Sequence, residues 1–176
     1  MLARAQCLLP CPTPALPEDG EGEEWRARML HFAYASNMSA QLMRRRCPAA
    51  RIEGCAVLPG HRFIIMRSGY ASIVAAPGGC VHGLLWRLTP RDVAALNAYE
   101  NIDGGLYRAV TMSVVAQRGR CAARVYVGRD RVGGRPRPGY LDIVAQAARD
   151  AGFPPHYVRR LLRWGAGPSS RARGGE

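Results

Sequence analysis

The sequence predicts an α+β domain built on a small, curled, barrel-like mixed sheet with flanking helices. Apolar runs separated by turn residues come as a group over residues 51–88. Two alternating runs, Tyr107–Ala116 and Cys121–Val127, are joined across QRGR, which predicts a long hairpin. Helical patterns are inserted between these strands or appended after them, not alternated one for one as in a doubly wound parallel sheet.

The elements follow in order. Residues 1–28 carry Pro10, Pro12, Pro14 and Pro17, then an acidic patch from Glu18 to Glu24, with no sustained apolar period. They predict a loose extension. Met29 opens the first strand, MLHFAY, and is a candidate start residue. That strand gives way to Ala35, Ser36 and Asn37 instead of a Gly/Pro turn. Ser39 then caps a short helix through Leu42 and Met43, whose last turn sets Arg44, Arg45 and Arg46 against the negative end of the helix dipole before Cys47-Pro48 stops it. Strands are predicted at Arg51–Leu58, Arg62–Met66, Ala71–Ala75 and Val81–Leu88, with LPGHR and APGG as turns between them.

Thr89, Pro90 and Asp92 form a helix start: a cap, a proline at the first helical position and the acid of a capping box. The hairpin comes next, with Val110, Met112 and Val114 on one face and Tyr107, Ala109, Thr111 and Ser113 on the other. Leu141, Val144, Ala145 and Ala148 recur at helical spacing, so Tyr140–Ala151 is an amphipathic helix closed by Gly152. A last helix, Pro155–Trp164, begins on a proline. The Gly-, Ser- and Arg-rich residues 165–176 predict a flexible tail, which leaves 29–164 as the folded domain.

At 176 residues and 48% hydrophobic, the chain supports one real core. It has no run of about 20 apolar residues that would predict a membrane span, and a cytoplasmic protein is expected. The net charge of +12 is carried by Arg without a single Lys. Such a bias fits genomic base composition, and no nucleic-acid recognition module is visible, so nucleic acid is not a predicted partner. Six cysteines, at 7, 11, 47, 55, 80 and 121, show no CxxC and no repeated spacing, and are read as reduced, mostly buried thiols, with a pairing of Cys7 and Cys11 as the open alternative. His31, His61, His82 and His156 are scattered and read as surface or structural residues, although His31 and His82 lie in strands that could approach the site; neither metal nor cofactor is expected.

One helix carries the chemical signal. Its core stripe is Val93, Leu96 and then Glu100, so the periodicity aims a carboxylate inward. Burial would raise such a carboxyl from about 4.3 toward neutrality, where it suits a general base. The bland alternative is a frayed helix end with Glu100 in solvent or on Arg108. Tyr107, Tyr126 and Tyr140 supply hydroxyls that could surround a polar site, each also explicable as a core or rim aromatic.

Taken together, FAYASNM before a helix, LPGHR, VHGLLWRLTPRDVAALNAYE, GGLYRAVTMSV, RVYV and RPGYLDIVAQAARDAGFPPHYV resemble the γ-glutamylcyclotransferase superfamily, in its bacterial branch related to AIG2-like proteins. The likeness covers roughly residues 29 to 164 in order. It implies a small mixed barrel with flanking helices, and a reaction in which a γ-glutamyl substrate's own α-amine attacks its γ-carbonyl to release 5-oxoproline. It places the catalytic glutamate on Glu100, the substrate loop on Tyr34, Ala35, Ser36, Asn37 and Met38, and cavity tyrosines on Tyr107, Tyr126 and Tyr140. Unpartnered amides at a strand-to-helix junction suit a carboxylate or oxyanion. The family pattern is most often YGSN, so Ala35 stands where glycine is usual and would narrow the loop if a positive φ were needed. A non-catalytic binder of an amino-acid-like ligand is the alternative on the same fold. The sequence leaves open the γ-glutamyl compound and the oligomeric state.

Overall fold

The computed structural model describes residues 29–166. The predicted extension over 1–28, and all but the first two residues of the predicted tail, lie outside the described residues. Five strands, β1 (Met29–Ala33), β2 (Arg51–Ile65), β3 (Ala71–Leu88), β4 (Tyr107–Ala116) and β5 (Gly119–Gly128), close into a barrel in the order β1-β3-β2-β4-β5. Neighbours are antiparallel, except that β1 meets β5 in parallel at His31 and Arg124. That single contact closes the sheet and makes it mixed. Four helices flank it: α1 (Ala40–Arg46), α2 (Pro90–Tyr99), α3 (Tyr140–Asp150) and α4 (Pro155–Leu162).

The expected four strands over residues 51–88 are two long ones. LPGHR and APGG do not reverse the chain. Pro59 pairs with Cys80 and His61 with Ala75, so Gly60 faces Ala76–Gly79 across a bulge in one continuous β2/β3 ladder. Gly60 and Gly78, at φ +72° and +76°, let both strands bend together, and a bulge tolerates the missing amide of Pro59. The true reversal is Met66–Tyr70, where Met66 N–H bonds Tyr70 O at 2.8 Å.

The core is apolar and continuous. Phe32, Met43, Ile65, Met66, Val81, Leu88, Leu96, Val114 and Val125 are fully buried, each contributing roughly 1.5–3 kcal/mol where the side chain is large. The predicted stripe of α3 (Leu141, Val144, Ala145 and Ala148) is buried together with Tyr157 and Leu161 of α4. Cys47 and Cys121 are free thiols; Cys55 is disulfide-bonded, which departs from the reading of all six cysteines as thiols.

Four contacts position the junction after β1. A Cβ on Gly83 of β3 would collide with the Ala33 carbonyl and the Phe32 ring, so only glycine lets β3 approach β1 this closely. A 3₁₀ turn, Ser36–Met38, follows and packs against α3. Ser39 then caps α1 by accepting from Leu42 N–H. The α1 end is tied to the α2 start by Cys47 Sγ donating to Asp92 O at 3.5 Å.

Candidate active site

The junction after β1 borders a cavity of about 170 Å³. This is below the roughly 300–1,000 Å³ of sites for drug-sized ligands, so it suits one amino-acid-sized group. Its walls are β1 and the following turn (His31 to Asn37), the β2/β3 reversal (Tyr70, Ala71), the end of α2 (Tyr99, Glu100), the start of β4 (Leu106, Tyr107), Tyr126 of β5 and Tyr140 of α3.

Glu100 owes its place to how α2 begins and ends. The start is fixed by a reciprocal capping box: Thr89 Oγ1 accepts from Asp92 N–H, and Asp92 Oδ2 accepts from Thr89 N–H. The end is a Schellman-type reversal, with Asn101 in the left-handed region at φ 50°, Ile102 N–H on Asn97 O and Asn101 N–H on Ala98 O. Glu100 therefore sits at a pinned terminus instead of a fraying one. It is 8% exposed, and its partner is Asn37, not Arg108: Asn37 Nδ2 donates to Glu100 Oε1 at 2.7 Å.

The electrostatics follow from that setting. Desolvation pushes the Glu100 carboxyl up to about 7, with the Asn37 hydrogen bond and the charge of Arg46 pulling the other way. Arg46 is bonded to the remainder of the set: its Nη1 donates to Asn37 Oδ1, its Nη2 donates to Tyr99 OH at 2.7 Å, and its guanidinium stacks 3.7 Å from the Tyr99 ring centroid. Asn37 thus accepts from a cation on one side and donates to a carboxyl on the other.

The tyrosines line the opposite walls. Tyr34 OH donates to the Tyr126 carbonyl at 2.6 Å and Tyr107 OH to the Ala71 carbonyl at 2.7 Å. Ala71 N–H donates in turn to Tyr140 OH at 3.2 Å, and Tyr126 OH donates to Asn97 Oδ1 at 2.8 Å. Burial raises the pKa of all four phenols, so they stay neutral across the physiological range. Tyr107 is buried although it lies on the otherwise polar face of β4, because that face meets the cavity at this end of the strand.

The amides of Ala35, Ser36 and Asn37 have no hydrogen-bond acceptor among the described residues. Three neighbouring donors beside a cavity are a site for a carboxylate or a developing oxyanion. Ala35 has φ −134°, which any residue adopts, so alanine imposes no left-handed strain here. Its methyl group instead occupies cavity wall.

Eight of the nine residues singled out from sequence line this one cavity: Glu100, Tyr34, Ala35, Ser36, Asn37, Tyr107, Tyr126 and Tyr140. Met38 does not. Its side chain is 2% exposed within the hydrophobic core, because the 3₁₀ turn rotates it away from the cavity. Sequence reasoning missed Tyr70, Tyr99 and Leu106 as wall residues and Arg46 as the partner of Asn37. His31, which the sequence places in a strand that could approach the site without marking it as a site residue, lines the cavity as well. Its Nδ1 bonds the Arg124 carbonyl at 3.0 Å, and desolvation lowers its pKa to about 4, so the ring is neutral. A local signal existed for Tyr99, which precedes Glu100 in the helix. For Arg46 and Tyr70 the contacts arise only when the barrel closes.

Residues 80–161 match the AIG2-like family. Human γ-glutamylcyclotransferase is 27% identical over 143 residues, spanning 75% of this chain and 76% of the relative; the bovine protein is 26% identical over 155 residues, spanning 82% and 79%. A solved γ-glutamyl cyclotransferase superposes with a TM-score of 0.72 at 23% identity, covering 85% of this chain and 92% of that one, a likeness of fold. These curated relatives are mammalian. In sequence and in fold the chain is similar to the γ-glutamylcyclotransferase-like superfamily.

Proposed function

We propose that this protein releases 5-oxoproline from a γ-glutamyl peptide or amine, with Glu100 as general base and then general acid. The observation that carries the reading is a buried carboxyl, poised near pH 7, sharing one small cavity with three backbone amides that have no acceptor among the described residues.

The chemistry is intramolecular. The substrate's α-ammonium, with a pKa of about 8 or higher, must lose a proton before it can attack, and a carboxylate at Glu100 takes it. The freed amine forms a bond to the substrate's own γ-carbonyl carbon, closing a five-membered ring. The carbonyl oxygen becomes an oxyanion, for which the amides of Ala35, Ser36 and Asn37 are donors. When the oxyanion collapses, the bond to the leaving nitrogen breaks, Glu100 returns its proton to that nitrogen, and the ring nitrogen sheds its surplus proton to the departing amine, which leaves as the ammonium while 5-oxoproline keeps a single N–H. No water is consumed. Most of the acceleration is assigned to folding the glutamyl chain into a ring-closing pose, since effective molarities of oriented reactions reach about 10⁵ M or more. The phenols of Tyr34, Tyr107, Tyr126 and Tyr140 shape that pose as neutral walls.

The test is incubation with a panel of γ-glutamyl dipeptides and γ-glutamylamines, with 5-oxoproline measured directly. Turnover that vanishes in Glu100→Gln while the fold is retained supports the reading. Undiminished turnover in Glu100→Gln contradicts it, and no product from the whole panel favours a non-catalytic binder.

A further inference from the structure

We propose that Arg46 is a positioning residue: it locks the Asn37 amide with its NH₂ toward Glu100 and so keeps that carboxyl in its base-competent, ionised form. This inference deepens the reading above and rests on it for its catalytic meaning.

An asparagine amide has two ends of similar shape and opposite polarity. Turned one way, Asn37 donates to Glu100 and favours the carboxylate; turned the other, its carbonyl faces Glu100 and favours the protonated acid. The hydrogen bond from Arg46 Nη1 to Asn37 Oδ1 selects the first orientation, because a guanidinium has donors only. Arg46 is in turn held from two sides. Its second nitrogen donates to Tyr99 OH, and its plane lies on the Tyr99 ring. Tyr99 is the last residue of α2 and Glu100 its C-cap, so the network returns to the helix end that carries the base. Arg46 itself is the last residue of α1, where the helix dipole favours a cation. Tyr99 is 49% exposed, an unusual position for so large a ring, and its stacking on Arg46 accounts for it.

Other groups facing Glu100 do not supply the same effect. Tyr34 of the β1 end, Tyr107 of β4, Tyr126 of β5 and Tyr140 of α3 are neutral phenols, and His31 of β1 is a neutral imidazole. Among the described residues, the cation whose charge acts on Glu100 is Arg46. Lysine in its place would keep a charge and lose the fork that reaches Asn37 and Tyr99 together.

The experiment follows Glu100 itself. In protein carrying ¹³C-labelled glutamate carboxyls, the Glu100 resonance is identified by its loss in Glu100→Gln and titrated in wild type, Arg46→Met, Arg46→Lys and Tyr99→Phe. Arg46→Met is expected to move the midpoint up by about one pH unit, with Arg46→Lys and Tyr99→Phe moving it less in the same direction. Turnover in Arg46→Met is expected to fall about tenfold on the acid side and to approach wild type well above both midpoints. A midpoint unchanged in Arg46→Met, or a loss of rate equal at every pH, overturns the proposal. Should Arg46→Met not fold, Tyr99→Phe decides by whether its midpoint rises. If wild type turns over no γ-glutamyl substrate, the proposed function fails, while the titration still decides the role of Arg46.

Discussion

Replacing Glu100 by glutamine is expected to abolish activity and, above neutral pH, to stabilise the fold. The carboxyl titrates near 7 in the folded chain against 4.5 for the exposed group. Between those values the folded state binds more protons than the unfolded one, so this residue's contribution to stability falls as pH rises through that window. A gap of that size corresponds to about 3 kcal/mol, at 1.36 kcal/mol per unit, fully expressed above the folded value. The substituted amide would carry no charge to desolvate, and its carbonyl could still accept from Asn37. Wild type alone does not isolate the effect, because His31 and His82, both lowered to about 4 by burial, gain stability as pH rises over much of the same range. The difference between the two proteins cancels that background. Urea unfolding of both at several pH values from about 5 to 8 should show an advantage of Glu100→Gln over wild type that grows with pH by about 2–3 kcal/mol. A difference that stays flat with pH would refute the claim that Glu100 is held in a desolvating site.

Two further outcomes follow from single contacts. Tyr107→Phe leaves the Ala71 carbonyl without its 2.7 Å donor and should cost about 1–2 kcal/mol in urea unfolding; an unchanged midpoint would show that the bond contributes nothing net. Ala35→Gly relieves no strain at φ −134°, so it should cost about 0.5–1 kcal/mol through backbone freedom while opening the cavity wall, and it should improve bulkier substrates over smaller ones in kcat/KM. A stabilised Ala35→Gly protein would contradict that account.

What was legible in the sequence was local chemistry. The caps at Ser39 and Thr89, the capping-box acid Asp92 and the stripe of α3 can be read from a few neighbouring residues, and the structure has them in place. Glu100 belongs to the same class, since three helical residues suffice to aim it inward. The breaks predicted at LPGHR and APGG failed because proline and glycine signal a departure from regular backbone without saying which one. Here two such departures sit opposite each other, and the ladder absorbs both as a bulge. The set around Asn37 was illegible for another reason. Arg46 and Glu100 are separated by two strands and the whole of α2, and Tyr70 and Tyr140 by most of the sheet, so only barrel closure brings them together. Met38 shows the limit from the other side: adjacency in a motif does not fix which way a 3₁₀ turn points its next side chain.

The most direct test is the pH dependence of 5-oxoproline release in single turnover. With Glu100 as the base, the rate should rise along one acidic limb with a midpoint near 7, and that limb should vanish with activity in Glu100→Gln. A limb near 4.5, or a pH profile that survives in Glu100→Gln, would contradict the account.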